Sequence, residues 1–178
     1  MFAPARLSAL LLLLSASGCA PTLGPTPPGP PTLSGPAARF AAADFAWSQR
    51  PGGNIIAGRM AYRQGSQRFT CAGSTVVLTP ETPWSRQRME ALYGSSDRAA
   101  LPSDEVRART PSAPPGDAGP YVRRTTCDEA EQFAFAGLPD GAWYAITIAR
   151  PVGVIRGGAM ALMRRVVVRG GRTMPVNL

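Results

Sequence analysis

The chain has 178 residues, with 19 basic and 11 acidic side chains, a formal charge of +8, three cysteines and no histidine. Without histidine neither a Ser-His-Asp nor a Cys-His arrangement can be built, the commonest zinc ligand is missing, and no spacing among the acidic residues nominates a catalytic carboxylate pair. All the basic residues are arginine, scattered rather than gathered in a stripe, which reads as compositional drift and argues against a nucleic-acid-binding role.

Residues 1–18 carry one positive charge, Arg6, then the apolar run Leu7-Ser8-Ala9-Leu10-Leu11-Leu12-Leu13-Leu14 and the small residues Ser15-Ala16-Ser17-Gly18. That order is the anatomy of a secretory signal. The run falls short of the about 20 apolar residues a membrane-spanning helix needs. Ala16-Ser17-Gly18-Cys19 resembles the lipobox of bacterial lipoproteins, with Ala16 where that motif more often has leucine. The resemblance implies cleavage before Cys19, lipid on its thiol, and a stable anchor, since each buried methylene adds about 0.8 kcal/mol. Ala20, rather than aspartate, follows the cysteine, and by the same resemblance the expected destination is the outer membrane, facing the periplasm.

Residues 19–36 are dense in proline with glycine, threonine and serine. Such a segment favours an extended spacer of about 3.1 Å per residue and has nothing to bury. Residues 37–52 are expected to form a short helical lead-in containing Phe40, Phe45 and Trp47, ended by Pro51-Gly52-Gly53. Beyond it, residues 55–62 and 69–78 read as strands, and 80–94 as a helix starting near Ser85, which would cap its first turn. Residues 95–120 are polar and proline-rich and are expected to be a mobile loop. Strand signals return at 121–127, 132–135, 142–149, 163–169 and 173–176, separated by Asp140-Gly141, Gly157-Gly158 and Gly170-Gly171. Many short strands with turn signals predict an antiparallel sandwich.

The stretch Thr125-Thr126-Cys127-Asp128-Glu129-Ala130-Glu131-Gln132-Phe133-Ala134-Phe135-Ala136-Gly137-Leu138-Pro139-Asp140-Gly141-Ala142-Trp143-Tyr144 resembles the central signature of carboxypeptidase regulatory-like domains. There a Thr-Asp turn leads to an aromatic strand, a Leu-Pro-x-Gly turn and a second aromatic strand. Gly58 and Ser74-Thr75-Val76-Val77-Leu78 resemble its opening strands, so the likeness covers residues 53–178. It implies a mainly β chain folded as a small transthyretin-like sandwich, with a short helix in the insertion 80–120. Phe133, Phe135 and Leu138 would supply one apolar face, and Tyr144, Ile146 and Ile148 would alternate along the next strand. Glu131 departs from the pattern, standing where the family has a turn glycine, and the connection from Leu78 to Tyr121 is unusually long.

The insertion contributes Trp84, Arg86, Arg88 and Tyr93, with Arg98 further on, as a candidate ligand surface; alternatively the aromatics cap an open end of the sandwich and the arginines are solvated. With Cys19 lipidated, Cys71 and Cys127 are the remaining thiols. Export to an oxidising compartment, with 69–78 antiparallel to 121–127, predicts a disulfide between them. The functional expectation is a non-catalytic envelope lipoprotein, without cofactor, whose partners are the membrane and an envelope protein. The second reading is a carbohydrate- or envelope-polymer-binding lipoprotein.

Overall fold

Apolar side chains recur at every second position in the strands, and two sheets close over them. The computed structural model describes residues 38–154 and 158–178, within the unit Pro36–Leu178. The strands are β1 (Asn54–Arg59), β2 (Arg63–Gln64), β3 (Gln67–Thr70), β4 (Thr75–Pro80), β5 (Arg98–Pro102), β6 (Arg123–Thr126), β7 (Gln132–Leu138), β8 (Gly141–Pro151), β9 (Met160–Val168) and β10 (Thr173–Asn177). Two helices, α1 (Pro83–Tyr93) and α2 (Ser103–Arg109), lie between β4 and β6 in the chain.

The small sheet has the order β10-β1-β7, with β7 antiparallel to β1. In the large sheet β6, β4, β8, β9 and β5 are successive neighbours, and β3, carrying β2, pairs with the far end of β8 beyond β4. This is the expected small β-sandwich, with one pairing of different sense: β10 runs parallel to β1. No hairpin joins these two strands, so nothing in their connection imposes an antiparallel direction.

Between the sheets lie Ile56, Val76, Leu78, Phe133, Phe135, Leu138, Trp143, Leu162, Val166 and Val168. Gly58 sits opposite Phe133 across β1 and β7, and a Cβ placed on it would come within 2.0 Å of the Phe133 ring. Glycine is required there because the ring occupies the space of its side chain. Asn54, 1% exposed, ties three connections together. Its amide donates to the Leu138 carbonyl at 2.9 Å and to Asp140 Oδ1 at 2.8 Å, while its own oxygen accepts from the Arg172 N–H at 3.0 Å. Asp140 Oδ1 also accepts from the Gly170 N–H at 2.9 Å. The Asn54 and Gly170 hydrogen bonds, with Arg169 nearby, hold the Asp140 carboxyl below its ordinary range against a smaller opposing effect of desolvation.

The other face of the large sheet is covered by helices. Met89, Leu92 and Tyr93 of α1, with Val106 of α2, pack on Tyr144, Ile146, Ala161 and Met163. Here the expectation for β8 needs correction: Tyr144 and Ile146 face the helices, Ile148 is 37% exposed, and Trp143, Ala145 and Ala149 enter the inter-sheet core. Burial on both faces removes the simple apolar and polar alternation from which a strand's inner side is read.

The predicted strand 69–78 is two strands. Gly73, at φ 70°, allows a turn at residues 71–74 closed by the Ser74 N–H donating to the Cys71 carbonyl at 2.7 Å. Helix α1 starts two residues before the expected position. Thr82 is its N-cap and Pro83 opens it, while Ser85 forms the reciprocal half of a capping box. The stretch 95–120, expected to be irregular, contains β5 and α2 and two 3-10 turns, Thr110–Ser112 and Gly119–Tyr121. Its prolines stand at the ends of elements rather than inside them: Pro102 closes β5, and Pro111 and Pro120 begin turns, where no ladder hydrogen bond is lost.

The lead-in forms a 3-10 helix, Ala42–Gln49, and it is packed down. Phe45 is fully buried and stacks on Tyr121 with ring centroids 4.8 Å apart; Trp47 meets Trp143 edge-on at 5.0 Å.

Candidate functional site

Of the four residues expected to form a ligand surface, two are buried: Trp84 is 2% and Tyr93 7% exposed. Trp84 packs edge-on against Phe40 and Phe45 at 5.2 and 6.0 Å, and its indole N–H donates to the Pro115 carbonyl at 2.9 Å. Tyr93 lies under α1 against the large sheet, where burial pushes its hydroxyl up to about 12. Both aromatics serve the packing of the insertion, as the capping alternative has it, and neither presents a face to a ligand. A tryptophan on a sequence does not distinguish a sugar platform from a core residue; only the lead-in folding back over it does.

The arginines of that face are engaged as well. Arg88 lies over the Trp84 ring at 5.5 Å and donates to the Pro114 carbonyl at 2.7 Å. Arg86 pairs with Glu81, whose second oxygen accepts from Arg165 Nε at 2.6 Å. Arg107 pairs with Asp104 and Arg109 with Glu105. A cleft of about 390 Å³ beside α1 is lined by Trp84, Arg88, Asp117 and Arg124, so the insertion is not featureless, but its polar groups are largely committed to the fold.

Arg98 is not part of that group. It begins β5, whose register with β9 sets it directly opposite Arg164. Both line a cleft of about 400 Å³ at the open edge of the sandwich, where β5 and β9 of the large sheet approach β10 of the small one. Ala100 and Leu162 give it an apolar floor, while Tyr62, Asn177 and Leu178 form the wall contributed by the segment after β1 and by the end of β10. Tyr62 is half-buried and held edge-on against Phe69 at 5.2 Å, and its backbone carbonyl accepts from the Phe69 N–H. Arg164 Nη1 donates to the Asn177 carbonyl at 3.2 Å, which directs its guanidinium towards β10. An aromatic ring, an apolar floor and convergent polar groups in one concavity are what a small-molecule or sugar site needs.

Sequence reasoning did not assemble these residues. Tyr62 read as the end of a strand, Arg98 as part of the insertion, and Arg164 as one strand arginine among several; the β5–β9 pairing that unites the arginines arises inside a stretch that shows no strand pattern. The other expected sites divide. Cys71 and Cys127 are bridged, both buried, with Cα atoms 5.7 Å apart. Cys19 lies outside the described residues.

No protein-family model matches the chain, and no curated protein matches it. Among solved structures, a crystal structure of a Pseudomonas aeruginosa protein proposed to bind carbohydrate superposes with a TM-score of 0.58. The two are 20% identical, and the match covers 80% of this chain and 99% of that one. At that identity the likeness establishes a shared fold.

Proposed function

We propose that this chain is a non-catalytic, lipid-anchored envelope protein whose sandwich binds a carbohydrate or envelope polymer through the open-edge cleft. The observation that carries the reading is the cleft itself, with Tyr62 in its wall beside an apolar floor and Arg98, Arg164 and Asn177 around it. Sugars present apolar CH faces and polar edges together, and a ring fixed beside hydrogen-bond donors suits both. The description of the Pseudomonas protein supports the same class of ligand, and the carboxypeptidase regulatory-like pattern fits an accessory module rather than an enzyme. The anchor rests on Cys19 and the signal-like residues before it, with the proline-rich tether holding the domain away from a membrane surface.

Co-sedimentation of the purified chain with insoluble envelope polysaccharide tests the binding. Retention that falls when Tyr62 becomes alanine is the expected result, and equal retention of both proteins removes the cleft from the account. Mass spectrometry of the mature N-terminus tests the anchor: an acylated Cys19 is expected, whereas an unmodified chain starting at Ala20 refutes it.

A protein partner is the second reading, favoured by Val152 and Val154, 40% and 50% exposed just beyond the Ile148 end of β8. Crosslinking in intact envelopes separates the two. One defined protein adduct supports the second reading, and polysaccharide adducts support the first.

A further inference from the structure

The two arginines of the cleft are placed against their own electrostatics. Residues directly opposite in an antiparallel pair bring their Cβ atoms within about 5.5 Å, and like charges there destabilise the sheet. Arg98 and Arg164 occupy such a pair, both are exposed, and neither has an ion pair among the described residues. Of the nearby carboxylates, Glu81 is spent on Arg86 and Arg165, Asp104 on Arg107 and Glu105 on Arg109, and Asp97, next to Arg98 in the chain, forms no ion pair with either arginine. Among the described residues the one hydrogen bond made by either guanidinium runs from Arg164 to the Asn177 carbonyl, which leaves donors free on both. Two adjacent planar forks with unused N–H groups match a single oxyanion, which would remove the repulsion as it binds.

We propose that the cleft selects an anionic sugar unit, with Arg98 and Arg164 together taking its carboxylate or phosphate group while Tyr62 packs on the ring. This deepens the carbohydrate-binding reading and rests on it. Neutral saccharides keep the contacts to Tyr62 and the apolar floor and lose the charge-assisted ones, so acidic ligands are preferred and their binding weakens with salt.

The test uses the purified full chain and three probes in calorimetric titrations: an oligogalacturonate for the carboxylate source, glucose 6-phosphate for the phosphate source, and a neutral gluco-oligosaccharide of matched length. The expected result is binding of at least one acidic probe, at least tenfold tighter than the neutral one, and weakening as salt rises. Arg98→Glu is the decisive variant, because it converts the like-charged pair into an opposite-charged one. It is expected to raise the thermal midpoint and to weaken acidic-probe binding at least tenfold, a combination that loss of structure cannot produce; Arg164→Gln, which cannot gain a pair, is expected to weaken binding with the fold intact. Equal binding of acidic and neutral probes, untouched by Arg98→Glu, overturns the anionic selectivity and leaves the carbohydrate reading standing. Absence of binding to all three probes and to envelope polysaccharide overturns both. Acidic binding that survives both substitutions places the ligand elsewhere and overturns the assignment.

Discussion

Arg164 and Arg165 are neighbours in sequence, and the pleat of β9 gives them opposite surroundings. Arg165 turns to the helix-covered face and reaches Glu81, which also holds Arg86. Arg164 turns to the open edge, opposite Arg98 and with no ion pair among the described residues. The insertion face and the cleft are therefore both rich in arginine, but only in the first do arginines reach carboxylates of the fold. What separates a structural arginine from one available to a ligand is the partner it already has, and neither abundance nor net charge reveals that.

The sharpest test of this division lies at Trp84. Trp84→Ala removes the ring that holds Phe40, Phe45, Arg88 and the 114–116 segment together, and is expected to cost about 4 kcal/mol in denaturant unfolding. Cleft binding by the protein that remains folded should be unchanged. A stable Trp84→Ala protein that no longer binds sugar would reverse the roles assigned to the two regions.

The insertion face should also fail first in alkali. Burial pushes both Tyr93 and Tyr144 up to about 12, and the Glu81 charge adds to the effect at Tyr144. Each hydroxyl ionises near 10 in the unfolded chain, so the stabilisation is whole below that pH and is lost as pH rises towards 12. For Tyr93 the loss is on the order of 2 kcal/mol. Tyr93→Phe should flatten the decline of stability between these values, followed by chemical denaturation at several pH values; an unchanged profile would show that Tyr93 is not sealed beneath α1.

Glu131 probes the support of the cleft wall. It is the one residue other than glycine with positive φ among those described, at 62°, and its carbonyl accepts from the Met60 N–H at 2.9 Å just before Tyr62. A side chain in the left-handed region costs about 1 kcal/mol, so Glu131→Gly is expected to stabilise the protein by that amount in thermal melts without altering binding. Destabilisation would mean that the glutamate side chain, beside Arg59, Arg63 and Arg68, matters more than its backbone.

The smallest stability effect is expected where the binding effect is greatest. Arg98→Ala and Arg164→Ala should each change unfolding free energy by no more than about 0.5 kcal/mol, as for surface residues without a structural partner. A loss well beyond that would place them in the scaffold with Arg165.

How far the sequence carried this picture varies with the range of the interaction. The sandwich was legible because turns and strand alternation are local signals: Asp140, just before Gly141 opens β8, and Gly170-Gly171 mark breaks between strands as expected, and Phe133, Phe135 and Leu138 face the core. Glu131 marked its own peculiarity, as the turn residue that departs from glycine. The disulfide followed from two thiols and one antiparallel pairing, and β4 does pair with β6 beside it. The cleft was illegible because no short window contains it. Strand β5 holds two alanines and ends in proline, and only its partner β9 makes it a strand. Likewise the fate of Trp84 depends on Phe40 and Phe45, which lie before the sandwich and read as a lead-in rather than as part of its packing.

The pairing of β1 with β10 governs when this protein can finish folding. Ile55 lies against Thr173 and Gly58 against Val176, and the Asn54 oxygen that receives the Arg172 N–H reaches across 118 positions of chain. The first strand to emerge during synthesis thus waits for the last before its sheet is complete, and such distant contacts form slowly. Until residues 173–177 are free, the small sheet lacks an edge and the three-way knot at Asn54 lacks one of its cords. That order of events makes truncation within the last strand a defect at the front of the domain as much as at its end.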